Sequence, residues 1–210
     1  MSGLWVLDLS NNSLRETFNA TFIIRKQLVV IKFDKNKLEG KVPQSLINCK
    51  YLEVLDLGNN ELNDTFPKWL RALPNLMILR LRSNKFFGPI KDSSTYKFAR
   101  IQMIDLSSNG FSGDLPMSLF ENFENGEKSG TREYVADMYN SSYTNSFIVT
   151  TKGLELELPR VLTTNIIIDF TRNRFEGHIP SIIGDLVGLH ALNLSQNHLE
   201  GHIPASLICT

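Results

Sequence analysis

Arg80 and Arg82 stand on either side of a single leucine, in the run Leu79-Arg80-Leu81-Arg82, so an extended backbone sends both guanidinium groups to one face. Two planar forks on a rigid platform are suited to bidentate recognition of carboxylates or of a peptide. Asp56 lies 24 residues before Arg80 and Asp105 lies 25 after it, with Asp8 and Asp169 in the same sequence context. The plainer account of these charges is a cross-strand ladder of exposed ion pairs, each contributing a few tenths of a kcal/mol. All four histidines, His178, His190, His198 and His202, fall in the last 33 residues, and His178 and His202 share the tetrapeptide Gly-His-Ile-Pro. Two imidazoles on stacked turns without a third ligand make a poor zinc site, so no metal is expected. Cys49 reads as a small buried hydrophobe rather than a reactive thiol, and Cys209 has no place in the pattern. Nothing resembles a nucleophile elbow, a phosphate loop or a metal-ligand cluster; binding is the expected chemistry, with no catalytic residue and no cofactor.

The elements that position these residues follow from a repeat. Asn12, Asn36, Asn60, Asn84, Asn109, Asn173 and Asn197 are separated by 24, 24, 24, 25, 64 and 24 residues, each inside the frame LxxLxLxxNxL. A period in the twenties with this spacing gives one short strand and one return arc per unit, and neighbouring units bury one another's apolar edge. Alternation sends the leucines of LxL inward and the residue between them outward. The outward column therefore reads Asp8, Lys32, Asp56, Arg80, Asp105, Asp169, Asn193, and the next reads Ser10, Asp34, Gly58, Arg82, Ser107, Thr171, Ser195. The inward asparagine is a scaffold residue, satisfying backbone N–H and C=O groups that an apolar side chain would leave unpaired. With 22 basic and 22 acidic residues the chain has no net charge, which argues against a polyanionic partner such as nucleic acid or an anionic membrane surface.

A second pattern, xLxGxIP, follows most of the asparagines: Leu38-Gly40-Val42-Pro43, Phe86-Gly88-Ile90, Phe111-Gly113-Leu115-Pro116, Phe175-Gly177-Ile179-Pro180 and Leu199-Gly201-Ile203-Pro204. Glycine permits a turn that other residues resist, and proline stops the strand, so each rung turns twice and a second short strand is expected. Glu16, Asn19, Asp64 and Lys91 depart from this frame, which predicts local irregularity in the arc with the strands unaffected. The combined frame resembles the plant-specific class of extracellular leucine-rich repeats over nearly the whole chain. The fold this implies is an α/β-type repeat solenoid, a horseshoe or superhelix. It carries a parallel β-sheet on its concave face, a second sheet beside it, and irregular or 3-10 structure on the convex side.

The spacing of 64 leaves about 40 surplus residues, which predicts three regions: repeats one to five over 1–120, a looped-out island over 121–160, and repeats six and seven over 161–210. The island begins polar and turn-rich and continues as the alternating run Ser146 to Pro159, which reads as strands. Tyr134, Tyr139, Tyr143 and Lys152 are its candidate contact residues, because irregular segments on rigid scaffolds concentrate recognition and tyrosine supplies area at low entropic cost. Packing within the island is their alternative role. Tyr143 followed by Lys152 and Gly153, immediately ahead of the final repeats, looks like the island of plant receptor-like proteins, and the surrounding residues are close to the Cf-type disease-resistance receptors. Asn11, Asn19, Asn63, Asn140 and Asn193 each open an N-x-[ST] triplet, a pattern that favours the secretory route.

The resemblance implies the ligand-sensing part of a plant cell-surface receptor that acts in pathogen recognition and defence signalling. It would bind a pathogen-derived or endogenous protein or peptide on the extracellular side of the plasma membrane and signal through receptor-kinase co-receptors. Asp56, Arg80, Arg82, Asp105 and Asp169 are its candidate contacts on the repeats. No apolar stretch reaches the ~18 residues of a spanning helix, and no signal peptide opens the chain, so any anchor or leader is expected outside it. The alternatives are a secreted inhibitor of cell-wall-degrading enzymes, similar to polygalacturonase-inhibiting proteins, and a truncated non-signalling paralogue. The first of these families runs without an island, so the surplus residues count against it.

Overall fold

A computed structural model describes residues 3–15, 27–91, 98–124, 147–151, 154–158 and 166–208, with backbone alone for 122–124, 147–151 and 154–158. Seven short strands, β1 (Val6–Asp8), β2 (Val30–Lys32), β4 (Val54–Asp56), β6 (Ile78–Arg80), β8 (Met103–Asp105), β12 (Ile166–Asp169) and β14 (Leu189–Asn193), form one parallel sheet in chain order. Their register aligns Leu7, Ile31, Leu55, Leu79, Ile104, Ile168 and Leu192 in a single inward row. The row belongs to one continuous core that also takes in Leu52, Leu57, Leu62, Leu76 and Leu81, all with no exposed surface. Strand β12 pairs directly with β8, Ile168 opposite Ile104, so the 64-residue interval leaves no gap in the sheet.

The asparagine ladder closes each rung and ties it to its neighbour. Asn60 donates from Nδ2 to Phe33 O at 2.9 Å, Leu57 O at 3.1 Å and Gly58 O at 2.9 Å, while its Oδ1 accepts the Leu38 N–H at 3.1 Å. Asn36, Asn84, Asn109, Asn173 and Asn197 repeat this arrangement on their own rungs. Asn173 reaches back across the interruption to Leu106 O at 3.0 Å, as if the rungs were consecutive. Ahead of every ladder asparagine stands a residue in the left-handed region: Asn11, Lys35, Asn59, Ser83, Ser108, Arg172 and Gln196, with φ between 50° and 57°. That bend brings the asparagine amide under the strand, and it recurs with unrelated side chains because the rung geometry demands it.

The second sheet is present and divided. Strands β3 (Glu39–Gly40) and β5 (Glu61–Leu62) pair with each other, and β7 (Phe87–Pro89), β9 (Gly110–Asp114), β13 (Arg174–His178) and β15 (His198–Glu200) form a four-stranded sheet. The frame glycines Gly40, Gly88, Gly113, Gly177 and Gly201 all have φ between 73° and 84°. The division falls on the third rung, where Asp64 occupies the glycine position, so the departure from the frame interrupts a sheet where irregularity of the arc alone, with unaffected strands, was expected. Backbone bonds still cross it, from Lys85 N–H to Leu62 O at 2.8 Å and from Phe87 N–H to Asp64 O at 3.0 Å.

The return arcs carry 3-10 turns at Gln44–Asn48, Lys68–Ala72, Ser181–Asp185 and Ala205–Leu207. The fifth rung instead forms an α-helix, α1 (Met117–Glu124), whose Leu119 and Phe120 are fully buried. That helix runs across residue 120, where the surplus segment was expected to begin. Phenylalanines bind the rungs beneath the sheets: Phe86, Phe111 and Phe175 stack with ring centroids 5.8 and 6.4 Å apart, the second contact again crossing the interruption. Within the surplus segment, β10 (Phe147–Thr151) and β11 (Leu154–Leu158) form an antiparallel hairpin, as the alternating run predicts.

Candidate functional site

The face of the seven-stranded sheet turned away from the core carries two rows aligned by strand pairing. Strand pairing aligns Asp8, Lys32, Asp56, Arg80, Asp105, Asp169 and Asn193 in the expected order. Two residues earlier the same pairing aligns Val6, Val30, Val54, Ile78, Met103, Ile167 and Ala191. Ile78, Met103 and Ile167 form a small apolar cluster separate from the main core, with Val54, Met77 and Ala191 packed against it. Sequence reasoning missed this strip; the outward position just before each inward leucine, apolar on every rung, was the signal that could have found it.

The aspartates do not form an exposed ladder. Asp56, Asp105 and Asp169 are buried, 6%, 4% and 6% exposed, which corrects the expectation of solvent-facing carboxylates. Their short side chains fold back onto the turn that follows the strand. Asp105 Oδ1 accepts the Ser107 N–H at 3.0 Å and the Ser107 hydroxyl at 2.6 Å; Asp169 Oδ1 accepts both groups of Thr171, and Asp56 Oδ1 accepts the Gly58 N–H at 3.0 Å. Asn193 holds Ser195 in the same way on the last rung, at 3.2 and 2.9 Å. These side chains are caps that end the strand, a use that Asx residues have in turns generally. Burial raises all three carboxyls above the usual range; at Asp56 the Arg80 charge opposes the rise, and at Asp105 the neighbouring Asp169 adds to it.

The two arginines differ in what they are committed to. Arg80 Nη1 donates to Asp56 Oδ2 at 3.2 Å and Nη2 approaches Met103 Sδ at 3.7 Å, so its head group is tied down over the apolar strip. Arg82 is half-buried and makes no hydrogen bond or ion pair with another described side chain, while its charge is felt at Asp105 and Asp169. Gly58 gives it room: a Cβ there would come within 3.0 Å of Arg82 Cγ. The face thus offers one available guanidinium beside an apolar strip and a row of capped aspartates.

Tyr134, Tyr139, Tyr143 and Lys152 lie outside the described residues, as do Asn19, Asn140 and Cys209. Asn11 and Asn63 are exposed, whereas Asn193 is partly buried and engaged by Ser195. Cys49 is fully buried and its thiol is pushed up to about 11 by burial. Among the described residues no group of three or more potential metal ligands comes together. Arg71 is a further unforeseen residue: 1% exposed, it bridges arcs by donating to Ser118 Oγ at 3.0 Å and sits 5.5 Å from the Phe66 ring.

Residues 26–86 and 50–111 match the leucine rich repeat family, and residues 188–209 match it again. The chain is 62% identical over 179 residues to a receptor-like protein Cf-9 homolog of Solanum lycopersicum, covering 83% of this chain and 21% of that protein. It is 58% identical over 191 residues to receptor-like protein 9DC3 of Solanum pimpinellifolium, covering 89% and 22%, and 41% identical over 194 residues to receptor-like protein 18 of Arabidopsis thaliana, with the same coverage. It therefore spans about a fifth of the length of the curated relatives it matches. Among solved structures it is similar to the plant peptide hormone receptor RGFR1 in complex with RGF2, at TM-score 0.72 and 25% identity over 97% of this chain and 26% of that one. PEPR1–AtPEP1 shares the fold at TM-score 0.72 and 23% identity, over 98% and 23%.

Proposed function

The chain belongs to the leucine-rich repeat family and is a relative of the plant receptor-like proteins related to Cf-9, and from that premise we propose that it is a ligand-sensing segment of a cell-surface receptor. The observation that carries this reading is the 62% identity to a Cf-9 homolog over 83% of the chain. The segment acts by binding a protein or peptide in pathogen recognition, on the extracellular side of the plasma membrane, and passes the signal through receptor-kinase co-receptors. The likeness to a plant peptide hormone receptor solved in complex with RGF2 supports a peptide partner. Arg82 supplies the available fork for an acidic group, because its neighbours Asp105 and Asp169 are spent on capping their own turns. Tyr143 and Lys152 supply contacts from the island to ligand or co-receptor.

The test is a binding titration on the complete receptor ectodomain, with and without the paired substitution Tyr143→Ala and Lys152→Ala. Loss of about tenfold or more in affinity for ligand or co-receptor, at an unchanged melting temperature, is the expected outcome. Unchanged affinity for both would remove the island from the recognition surface.

A further inference from the structure

Gly58 is the one glycine in the outward row Ser10, Asp34, Gly58, Arg82, Ser107, Thr171 and Ser195. Its backbone does not call for glycine, because its φ is not positive, unlike that of the frame glycines Gly40, Gly88, Gly113, Gly177 and Gly201. Nor does the turn after the strand. On four other rungs the same place holds a hydroxyl, which Ser10, Ser107, Thr171 and Ser195 donate to Asp8, Asp105, Asp169 and Asn193. Asp56 accepts the Gly58 N–H at 3.0 Å in the same manner, and the third rung forgoes the hydroxyl bond that those rungs keep. What occupies the place is Arg82, brought alongside by the Asn59 N–H to Arg82 O bond at 2.8 Å. Gly58 is buried, and a Cβ built on it would lie 3.0 Å from Arg82 Cγ and 3.6 Å from Nε. The arginine therefore runs along the bare backbone of the third rung, and a side chain at 58 would force one of the two to give way. Both oxygens of Asp56, the carboxylate beside this slot, are engaged, Oδ1 by the Gly58 N–H and Oδ2 by Arg80 Nη1 at 3.2 Å. The Arg82 guanidinium is thus aligned beside Asp56 without being consumed by it.

We propose that Gly58 is a specificity-determining position of this face: its missing side chain is a slot that lays Arg82 across the third rung and orients the guanidinium for a carboxylate of the bound partner. The inference rests on the reading of this face as a recognition surface and adds how its fork is held. An arginine that samples many rotamers loses entropy on binding, and one already laid in a slot loses less. A planar fork fixed in orientation also favours a carboxylate, which accepts two parallel bonds, over a neutral amide. Serine at 58 would displace Arg82 from the slot and offer Asp56 the hydroxyl bond of the other rungs. The rung would then be closed as its neighbours are, and the preference for a carboxylate would be lost. Gly58 is accordingly a positioning residue that acts through Arg82.

The test uses the complete receptor ectodomain in four forms: unaltered, Gly58→Ser, Arg82→Ser and both together. The probe is a bead-bound library of random octapeptides, made once with amidated and once with free C-termini. The unaltered form should select carboxylate-bearing peptides. A preference seen with amidated ends assigns the carboxylate to an acidic side chain, and one seen only with free ends assigns it to a chain terminus. Gly58→Ser should bind the selected peptides about tenfold more weakly. The double variant should match Arg82→Ser, because slot and fork act as one unit. Melting separates this from damage to the rung: the double variant, with a hydroxyl cap and no arginine to displace, should melt no lower than Arg82→Ser. Reaction of Arg82 with the arginine reagent phenylglyoxal, followed by mass spectrometry, should quicken in Gly58→Ser as the head group leaves the slot. Full affinity of Gly58→Ser for peptides that Arg82→Ser has lost, or an unchanged phenylglyoxal rate, would overturn the slot and leave Arg82 as a contact. A lower melting temperature for the double variant than for Arg82→Ser would show that the glycine serves the rung itself, and would also overturn the slot. No selection of carboxylates by the unaltered ectodomain would overturn both the slot and the contact.

Discussion

Asp105 shows how a residue read as a ligand contact becomes part of the scaffold. Its carboxylate is 4% exposed, caps the Ser107 N–H and hydroxyl, and has the Asp169 carboxylate as a neighbour in the row. Burial raises its carboxyl first, Asp169 raises it further, and the Ser107 bonds oppose both. The native state therefore holds a proton more readily than the unfolded chain, whose aspartates titrate near ~3.9, so ionising Asp105 removes stability as pH rises above that value. Asn193 already makes the same two bonds without a charge. Asp105→Asn is thus expected to stabilise the protein by roughly 1 kcal/mol at pH 7 and by nothing measurable near pH 3, as read from denaturant midpoints at the two pH values. A loss of stability at pH 7 would mean that the charge itself is needed. The row's order was legible from the period of two, yet its burial was not. Solvent exposure on a sheet with strands ~4.8 Å apart depends on whether neighbouring side chains lean over a short one, and here the aspartates also turn back on their own rung.

At the scale of the element, the rung is specified by the inward leucines, the asparagine and the frame glycine, all of which the sequence displays. The left-handed residue ahead of the asparagine is invisible in the pattern, since Asn, Lys, Ser, Arg and Gln all occupy it. Geometry selects there against β-branching rather than for one residue type. Lys35, exposed and at φ 54°, provides the test. Lys35→Val is expected to cost about 1–2 kcal/mol in a thermal or denaturant melt, and Lys35→Asn close to nothing, because Asn11 and Asn59 hold the same place on their own rungs. Equal effects from both substitutions would show that the bend carries no strain. The hairpin of β10 and β11 was legible for the same reason as the rungs, an alternation of period two, whereas the α-helix of the fifth arc was not. Pro116 just ahead of the helix and Leu119 within it match the proline and buried apolar residue of its 3-10 counterparts, and the added turn lies in residues beyond the repeat frame.

At the scale of the molecule, the rungs on both sides of the 64-residue interval stack as neighbours. Strand pairing, the Asn173 bond to Leu106 O and the Phe111–Phe175 stack all cross it. The stacking of the rungs is therefore continuous across the interval. Its ends are a different matter: Leu4, Trp5, Val6, Leu9 and Leu14 are 38% to 46% exposed on the first rung, and Ile203 and Ile208 are each 65% exposed on the last. In a repeat protein such edges are normally covered by further rungs or caps. Expressed alone, the 210-residue chain is expected to self-associate on size-exclusion chromatography and to melt broadly; a monomer with one sharp transition would contradict that expectation. The claim on which the functional account turns is that the outer face of the seven-stranded sheet recognises a partner through the guanidinium left available on the fourth rung. Equilibrium binding of the complete ectodomain to extracellular proteins and peptides, for the unaltered receptor and for Arg82→Ala, tests it most directly. The account predicts a loss of about tenfold or more in affinity with folding unchanged, and equal affinity of the two forms for every partner would contradict it.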